Sequence, residues 1–357
     1  MNTQLSIDGK TTSDALQSAF EISWNRHTPQ RHEMSFELGG QHVHLRCVGD
    51  QLHQLVTRPL AHLRTDAMTG ITPRLTIDLW DELETGVDCD GCVIDDTLDI
   101  NGEIVCSDGR HVVYRRARSK TAYDRQRGHM IGWSAYGDQA CLYELGRPLH
   151  ALLSYWHTDA GLQVMHAGLV AAPNDSVGAG VLFPGMGGSG KSTSALTCLE
   201  AGWWYLGDDY IGLAGDAQHG FVGHSVYNSS HIEPHHLERF AHLKSHAIPA
   251  RNEQEDKYLV LLNDIYPGQF LCSVRIRAIA IPRITDKHES QWQPAKRSQA
   301  LLALAPSSVV MIPGQHPKSL DRLAQLIQDT PCYWLYLGRD LQSIPRCAEQ
   351  IITDATS

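Results

Sequence analysis

Residues 185–193 read GMGGSGKST, and their types and spacing suit the holding of phosphate. Gly185 to Ser192 fit G-x-x-x-x-G-K-[ST], in which glycines let backbone N–H groups crowd around phosphate oxygens where a side chain would collide. The residues expected to hold a nucleoside triphosphate are therefore Gly185, Met186, Gly187, Gly188, Ser189, Gly190, Lys191, Ser192 and Thr193. Lys191 can reach the β- and γ-phosphates, and the Ser192 hydroxyl can join a Mg²⁺ shell. A second cluster, Asp208 and Asp209 in WYLGDDYIGL, follows Lys191 by 17 and 18 residues. Adjacent carboxylates at a strand end can divide the work of phosphoryl transfer. One holds Mg²⁺, directly or through water, and the other takes a proton from an attacking hydroxyl. An arbitrary Asp-Asp pair reads as an acidic turn; its place one β-α-β step from the loop favours function.

The elements around these residues must place them. AGVLFPG (179–185) is an apolar run suited to a buried strand, and Ser192 opens a helix with Ala195, Leu196 and Leu199 facing inward. Gly202 is placed to cap that helix in the left-handed region. A helix of about 11 residues rising roughly 1.5 Å each carries the chain up, and the next strand brings it back. LQVMHAGLVAA (162–172), a turn PNDSVGAG (173–180), VLFPG, the loop, the helix and WWYLGDDYIGL (203–213) together suit an α/β core. Further strands are expected at RIRAIAIPRI (275–284) and CYWLYLG (332–338). KSLDRLAQLIQDTP (318–331) predicts a helix with Leu320, Leu323, Ala324 and Ile327 on one face, stopped by Pro331. The polar stretches 241–257 and 284–298 read as loops.

The first 145 residues read mostly as strands. QHVHLRCVG (41–49) sets Val43, Leu45 and Cys47 against His42, His44 and Arg46, RLTIDLW (74–80) alternates in the same way, and RHVVYR (110–115) is a third strand. RPLHALLSYWHT (147–158) predicts a helix at the joint between domains, with Leu149, Leu152, Leu153 and Trp156 on one face and Pro148 near the first turn. The expected division is a β-rich α+β domain for recognition or assembly over 1–145 and a catalytic domain over 146–357.

The chain has 357 residues, 42% of them apolar, and a formal net charge of -10 from 40 acidic and 30 basic side chains. No basic stripe stands out, so no nucleic-acid partner is expected. The N-terminus lacks an apolar signal region and no run approaches the length of a membrane span, so neither a secretory signal nor membrane insertion is expected. Nine cysteines, an odd number, argue against a disulfide framework and for a reducing cytoplasm. Cys89 and Cys92 in DCDGC have zinc-ligand spacing, with Cys106 and His111 following. A complete zinc site needs four convergent ligands, and reduced cysteines in a glycine-containing turn are the favoured reading. The 20 histidines are spread along the chain.

VMHAGLV and GVLFPGMGGSGKSTSALTCLEAGWWYLGDDYIGL, within residues 162–213, resemble the catalytic core of the HPr kinase/phosphorylase family and its relatives, which include kinases of peptide precursors. SVYNSS (225–230), AIPRIT, LLALAPSS and CYWLYLGRDLQSIP are similar to the C-terminal half of less characterised HPr-kinase-like proteins. The resemblance implies an α/β P-loop kinase core, shared more distantly with phosphoenolpyruvate carboxykinase. It implies ATP and Mg²⁺ as cofactors and a serine hydroxyl of a protein or peptide as acceptor. The family's active-site histidine falls on His166 and its acid/base aspartate on Asp209, with Asp208 beside it assisting the metal.

Departures from the family sharpen the expectation. The Gly-rich signature after the aspartates, which in bifunctional relatives supplies a metal-linked glutamate and supports phosphorolysis, is missing from 214–275. GHSVYNSSHIEPHHLERF stands there instead, and a dedicated kinase is expected. His231 stands where many relatives have a lysine. The N-terminal region matches none of the family, so HPr itself is not the expected acceptor. Lys257 is a weak candidate for a further cation; a solvated charge run is the favoured reading. The rival readings are a small-molecule, carboxykinase-like kinase and a non-catalytic nucleotide-gated binding protein. The oligomeric state, a homo-oligomer included, is left open.

Overall fold

The computed structural model describes residues 8–66, 72–173, 178–251, 255–314 and 318–357. The N-terminal residues 1–7, the middle of the expected turn at 174–177, and 252–254 in the polar stretch before Lys257 lie outside the described residues. The fold is mixed α/β and carries two large sheets of eight strands each. The chain forms two compact units: Met1–Glu37, Gln41–Trp156 and Ile248–Leu259 in the first, Leu38–Gly40, His157–Ala247 and Val260–Ser357 in the second.

The first unit opens with α1 (Gly9–Arg26), then β1 (Arg31–Leu38), β2 (Gln41–Val48), α2 (Asp50–Thr57), β3 (Arg64–Thr65), β4 (Leu75–Asp81) and α3 (Glu82–Thr85). β5 (Glu103–Ser107), β6 (His111–Arg116), β7 (Ser119–Asp124), β8 (His129–Ser134) and α4 (Leu142–Gly146) follow. The sheet order is β3-β1-β2-β4-β8-β7-β6-β5. β2–β4 and β4–β8 are parallel, and β8, β7, β6 and β5 form an antiparallel meander. The alternating apolar positions do face one core: Val43, Leu45, Leu75 and Ile77 are buried. The patterning does not announce α1. Its buried face is only Gly9, Leu16, Ala19, Phe20 and Ser23, a stripe too sparse in apolar residues to stand out among threonines and charges. Phe20 and Leu16 nonetheless fill a core with Trp80, Val113, Ile131 and Trp133.

The helix expected over 147–158 begins later. Arg147 has an extended φ of -141° and Leu149 a left-handed φ of 57°, so α5 runs His150–Asp159. Pro148 disfavours a helical residue before it, which separates α4 from α5. Leu152, Leu153 and Trp156 are buried as the periodicity requires.

The second unit contains β9 (Gln163–Ala171), β10 (Ala179–Pro184), α6 (Lys191–Glu200), β11 (Trp204–Gly207), β12 (Tyr210–Asp216), β13 (Gly220–Ser225), β14 (Ser229–Ile232) and α7 (Pro234–Leu237). The chain re-enters this unit within β15 (Tyr258–Leu261) and continues through β16 (Ser273–Ile284), β17 (Gln291–Pro294), α8 (Arg297–Ala305), a π turn at Pro306–Val310, α9 (Ser319–Asp329), β18 (Cys332–Leu337) and α10 (Ser343–Thr356). Pairings run β10-β9-β12-β13-β16-β18-β17, and β16 also pairs with β10, so five strands close on themselves. β10, β16 and β18 are mutually parallel; β9 runs against β10, β11 and β12.

Two stretches read as loops contain regular structure. β17 and the start of α8 fall within 284–298; among the described residues β17 pairs only with β18 and is mostly exposed, so it carries no apolar alternation. A short 3₁₀ turn, Ala241–His246, buries Leu243. In α9 the inward residues are Ser319, Leu323, Leu326 and Ile327, whereas Leu320 is 46% exposed. Among the described residues no helix is long and apolar enough to cross a membrane.

Candidate functional site

The loop 185–190 joins β10 to α6, the strand-loop-helix setting the motif requires. Its glycines divide into two kinds. A Cβ on Gly185 would strike Ser189, one on Gly190 would strike Leu337, and both residues hold positive φ, 152° and 101°. These two are demanded by the fold. At Gly187 and Gly188 a Cβ would meet nothing within 4 Å, so the loop faces open space there, although Gly188 also holds a positive φ of 76°. Lys191 turns back into the loop, and its Nζ donates to the carbonyls of Gly185 at 2.8 Å and Met186 at 3.1 Å. Thr193 is buried in the first turn of α6. Ser192 is the one residue among the first nine of that helix that is not buried.

Asp208 and Asp209 lie between β11 and β12, which share one edge of β9. Gly207 pairs with Leu169 and Tyr210 with His166, so the two aspartates stand opposite Gly168 and Ala167, where the ladder is interrupted. Gly168 keeps this crossing close: a Cβ there would already be in contact, at 3.6 Å, with the Asp208 Cα and with Ala195 of α6. The two aspartates form a bend between the strands, and their carboxylates differ in exposure. Asp208 is 1% exposed. Asp209 remains accessible, and its Oδ1 lies 2.7 Å from His166 Nε2.

His166 is the only residue of β9 that is not buried. Its ring leans on Tyr210 at 5.6 Å, and its backbone N–H donates to Ser308 Oγ at 3.1 Å. Ser308 sits in the π turn, 142 residues further along the chain, and no spacing in the sequence links the two.

Asp208 Oδ2 accepts from Ser230 Oγ at 2.6 Å, while Oδ1 is buried with no hydrogen-bond partner among the described residues. Burial raises the Asp208 pKa above the usual carboxylate range, and the neighbouring charge of Asp209 adds to this. The hydroxyls of Ser230, Ser192 and Tyr205 offset part of the rise. The structure thus brings Ser192, Asp208, Asp209 and His166 into one neighbourhood and adds Ser230, Tyr205 and Ser308. Ser229, Ser230 and His231 belong to β14, and the first two of them are buried. Lys257 belongs to the first unit. Cys89 lies in the core of that unit, and Cys92 closes a turn by donating its N–H to the Cys89 carbonyl at 3.0 Å. Among the described residues Cys89, Cys92, Cys106 and His111 do not converge as metal ligands.

No family model matches the chain. No curated protein matches it either. Among solved structures, the Hpr(Ser) kinase/phosphatase from Coxiella burnetii is similar at a TM-score of 0.28 and 10% identity, over 54% of this chain and 96% of that one. A likeness at that level carries no argument about chemistry.

Proposed function

We propose that the chain is a kinase that takes the phosphoryl group of Mg-ATP to a hydroxyl, a serine of a protein or peptide. The observation that carries the reading is the divergence of two adjacent aspartates beside a glycine-rich loop. Asp209 faces His166 at 2.7 Å, and Asp208 is sealed behind it with one oxygen lacking a partner. An accessible carboxylate held by an imidazole is the kind of group that can take a proton from an acceptor hydroxyl.

The residues present fit the nucleotide and the metal. Open space beside Gly187 and Gly188 leaves room for phosphate against backbone N–H groups, and the N-terminus of α6 adds positive potential. Lys191 would exchange loop carbonyls for phosphate oxygens. Mg²⁺ takes oxygen ligands and is held through one or two carboxylates besides phosphates; the orphaned Asp208 Oδ1 and the adjacent Ser192 hydroxyl suit it. Bound there, the ion would neutralise charge developing on phosphate oxygens. Asp209 would orient the acceptor and remove its proton, and His166 would hold Asp209 in place. Ser229, Ser230 and His231 bring no carboxylate to the far side, which supports a dedicated kinase over a phosphorolytic enzyme. A small-molecule acceptor would use the same groups.

The deciding experiment is mass spectrometry of candidate proteins and peptides after incubation with the full chain and Mg-ATP. The expected product is phosphoserine, formed by the wild type and not by Asp209→Asn. Nucleotide binding with no transfer to any hydroxyl would instead leave the nucleotide-gated binding protein. Phosphorylated product with added phosphate should release no pyrophosphate.

A further inference from the structure

Glu233, His235 and His236 take no part in the proposed phosphoryl transfer, yet they converge. Their ligand atoms all lie within 4.8 Å of one another. His235 Nε2 stands 3.4 Å from Glu233 Oε2. A tetrahedral zinc ion with bonds of about 2.0–2.1 Å separates its ligands by about 3.3–3.4 Å, so this pair already has the spacing the ion demands. The His235 and His236 rings are 4.2 Å apart, centroid to centroid. The third ligand atom lies within 4.8 Å of the other two.

The backbone holds these side chains in place. Ile232 before them and Leu237 after them are buried, at 3% and 6% exposure. The N–H groups of His236 and Leu237 both donate to the Glu233 carbonyl, at 2.9 and 3.1 Å. Pro234 fixes its own φ between Glu233 and the histidines. The three ligands therefore ride on a four-residue turn anchored at both ends. Without an ion, the Glu233–His235 contact is a surface pair with His235 65% exposed, and such pairs contribute little.

We propose that Glu233, His235 and His236 form a binding site for a divalent transition metal of the zinc type, with the fourth position open to water. Two imidazole nitrogens and one carboxylate suit borderline ions such as Zn²⁺, Co²⁺ or Ni²⁺. They do not suit Mg²⁺ or Ca²⁺, which require more oxygen ligands. The three residues have no role in the proposed phosphoryl transfer, and the proposal holds or fails independently of the kinase reading.

The test is titration of the chelator-treated full chain with ZnCl₂ by calorimetry and with CoCl₂ by visible absorption, in excess Mg²⁺. The wild type should bind one equivalent of Zn²⁺ more than His235→Ala/His236→Ala and should show the visible band of four-coordinate Co²⁺ that the double variant lacks. Zn²⁺ should also raise the melting temperature of the wild type more than that of the variant, because an ion that binds only the folded chain stabilises it. Glu233→Gln keeps both imidazoles and the shape of the turn, so it tests the site should the double variant misfold; it should weaken Zn²⁺ binding at least tenfold. Equal stoichiometry and affinity in wild type and Glu233→Gln, or no Zn²⁺ binding by the wild type, would overturn the proposal.

Discussion

Asp78 in the first unit and Asp208 in the second are both sealed from water, at 0% and 1% exposure, and their surroundings push them in opposite directions. Burial would raise the pKa of Asp78, but His129 and Arg46 hold it below the ordinary value. Arg46 grips it with two donors, Nε at 2.7 Å and Nη2 at 2.5 Å, and His129 Nε2 lies 2.9 Å away. All three side chains come from the neighbouring parallel strands β2, β4 and β8. Asp208 has a hydroxyl donor from Ser230 at 2.6 Å, the hydroxyls of Ser192 and Tyr205 nearby, a second carboxylate beside it, no cation, and an Oδ1 with no well-formed hydrogen bond among the described residues. Asp78 is paired with two cationic side chains, whereas Asp208 is left short of them where a loop and a helix start meet; under the function proposed above, a bound ligand would supply the missing charge.

The largest expected effects are on activity. Asp209→Asn keeps the shape but cannot accept a proton, so transfer should fall by roughly 10²–10⁴-fold with ATP affinity little changed. Lys191→Ala should abolish transfer in a folded protein. Single-turnover assays with labelled ATP decide both, and wild-type rates in folded Lys191→Ala would remove the loop from the site.

The next effect is on stability. Asp78→Ala leaves Arg46 without its buried partner and should cost about 3 kcal/mol, measured by urea denaturation, while transfer per folded molecule stays unchanged. The lower end of the range for broken buried pairs applies because the Arg46 side chain is 33% exposed.

Asp208→Asn sharpens the contrast. Asp78 has a depressed folded pKa, so its stabilisation is present above the unfolded value near 3.8 and is lost as pH falls through the folded value. Asp208 has a raised folded pKa, so the native state loses stability as pH rises from near 3.8 to the folded value. Without Mg²⁺, Asp208→Asn should therefore melt higher than the wild type at pH 8, lose that advantage at pH 4 and be inactive throughout. A lower melting temperature at pH 8 would show that Asp208 is as well paired as Asp78.

The smallest stability effect belongs to Gly187→Ala. Its Cβ meets nothing within 4 Å, so stability should stay within about 0.5 kcal/mol. Nucleotide affinity, read by calorimetry, should fall because the methyl group enters the space assigned to phosphate.

Much of the second unit was legible because its signals are local. The apolar run of β10, the glycines before Lys191 and the apolar face of α6 are contiguous, and the chain folds them as one strand-loop-helix segment. Less local features were hidden. α1 carries too few apolar residues to show its period, β17 is an exposed edge strand, and the inward face of α9 is displaced from the expected one, Leu320 lying outside it.

Which groups are available for chemistry can be read along the chain: a lysine and hydroxyls at a helix start, two adjacent carboxylates and a histidine, each set within one short stretch. Backbone geometry over a few residues suffices to fix such a loop, because glycine conformations and a helix terminus are local properties. It takes the folded chain to show that His166 meets Asp209, that Ser230 and Ser308 reach the same neighbourhood, and that Asp208 is the carboxylate cut off from water. Those facts depend on strand register and on the dielectric around a buried oxygen, and both are set by residues far apart in the chain that pack into one core.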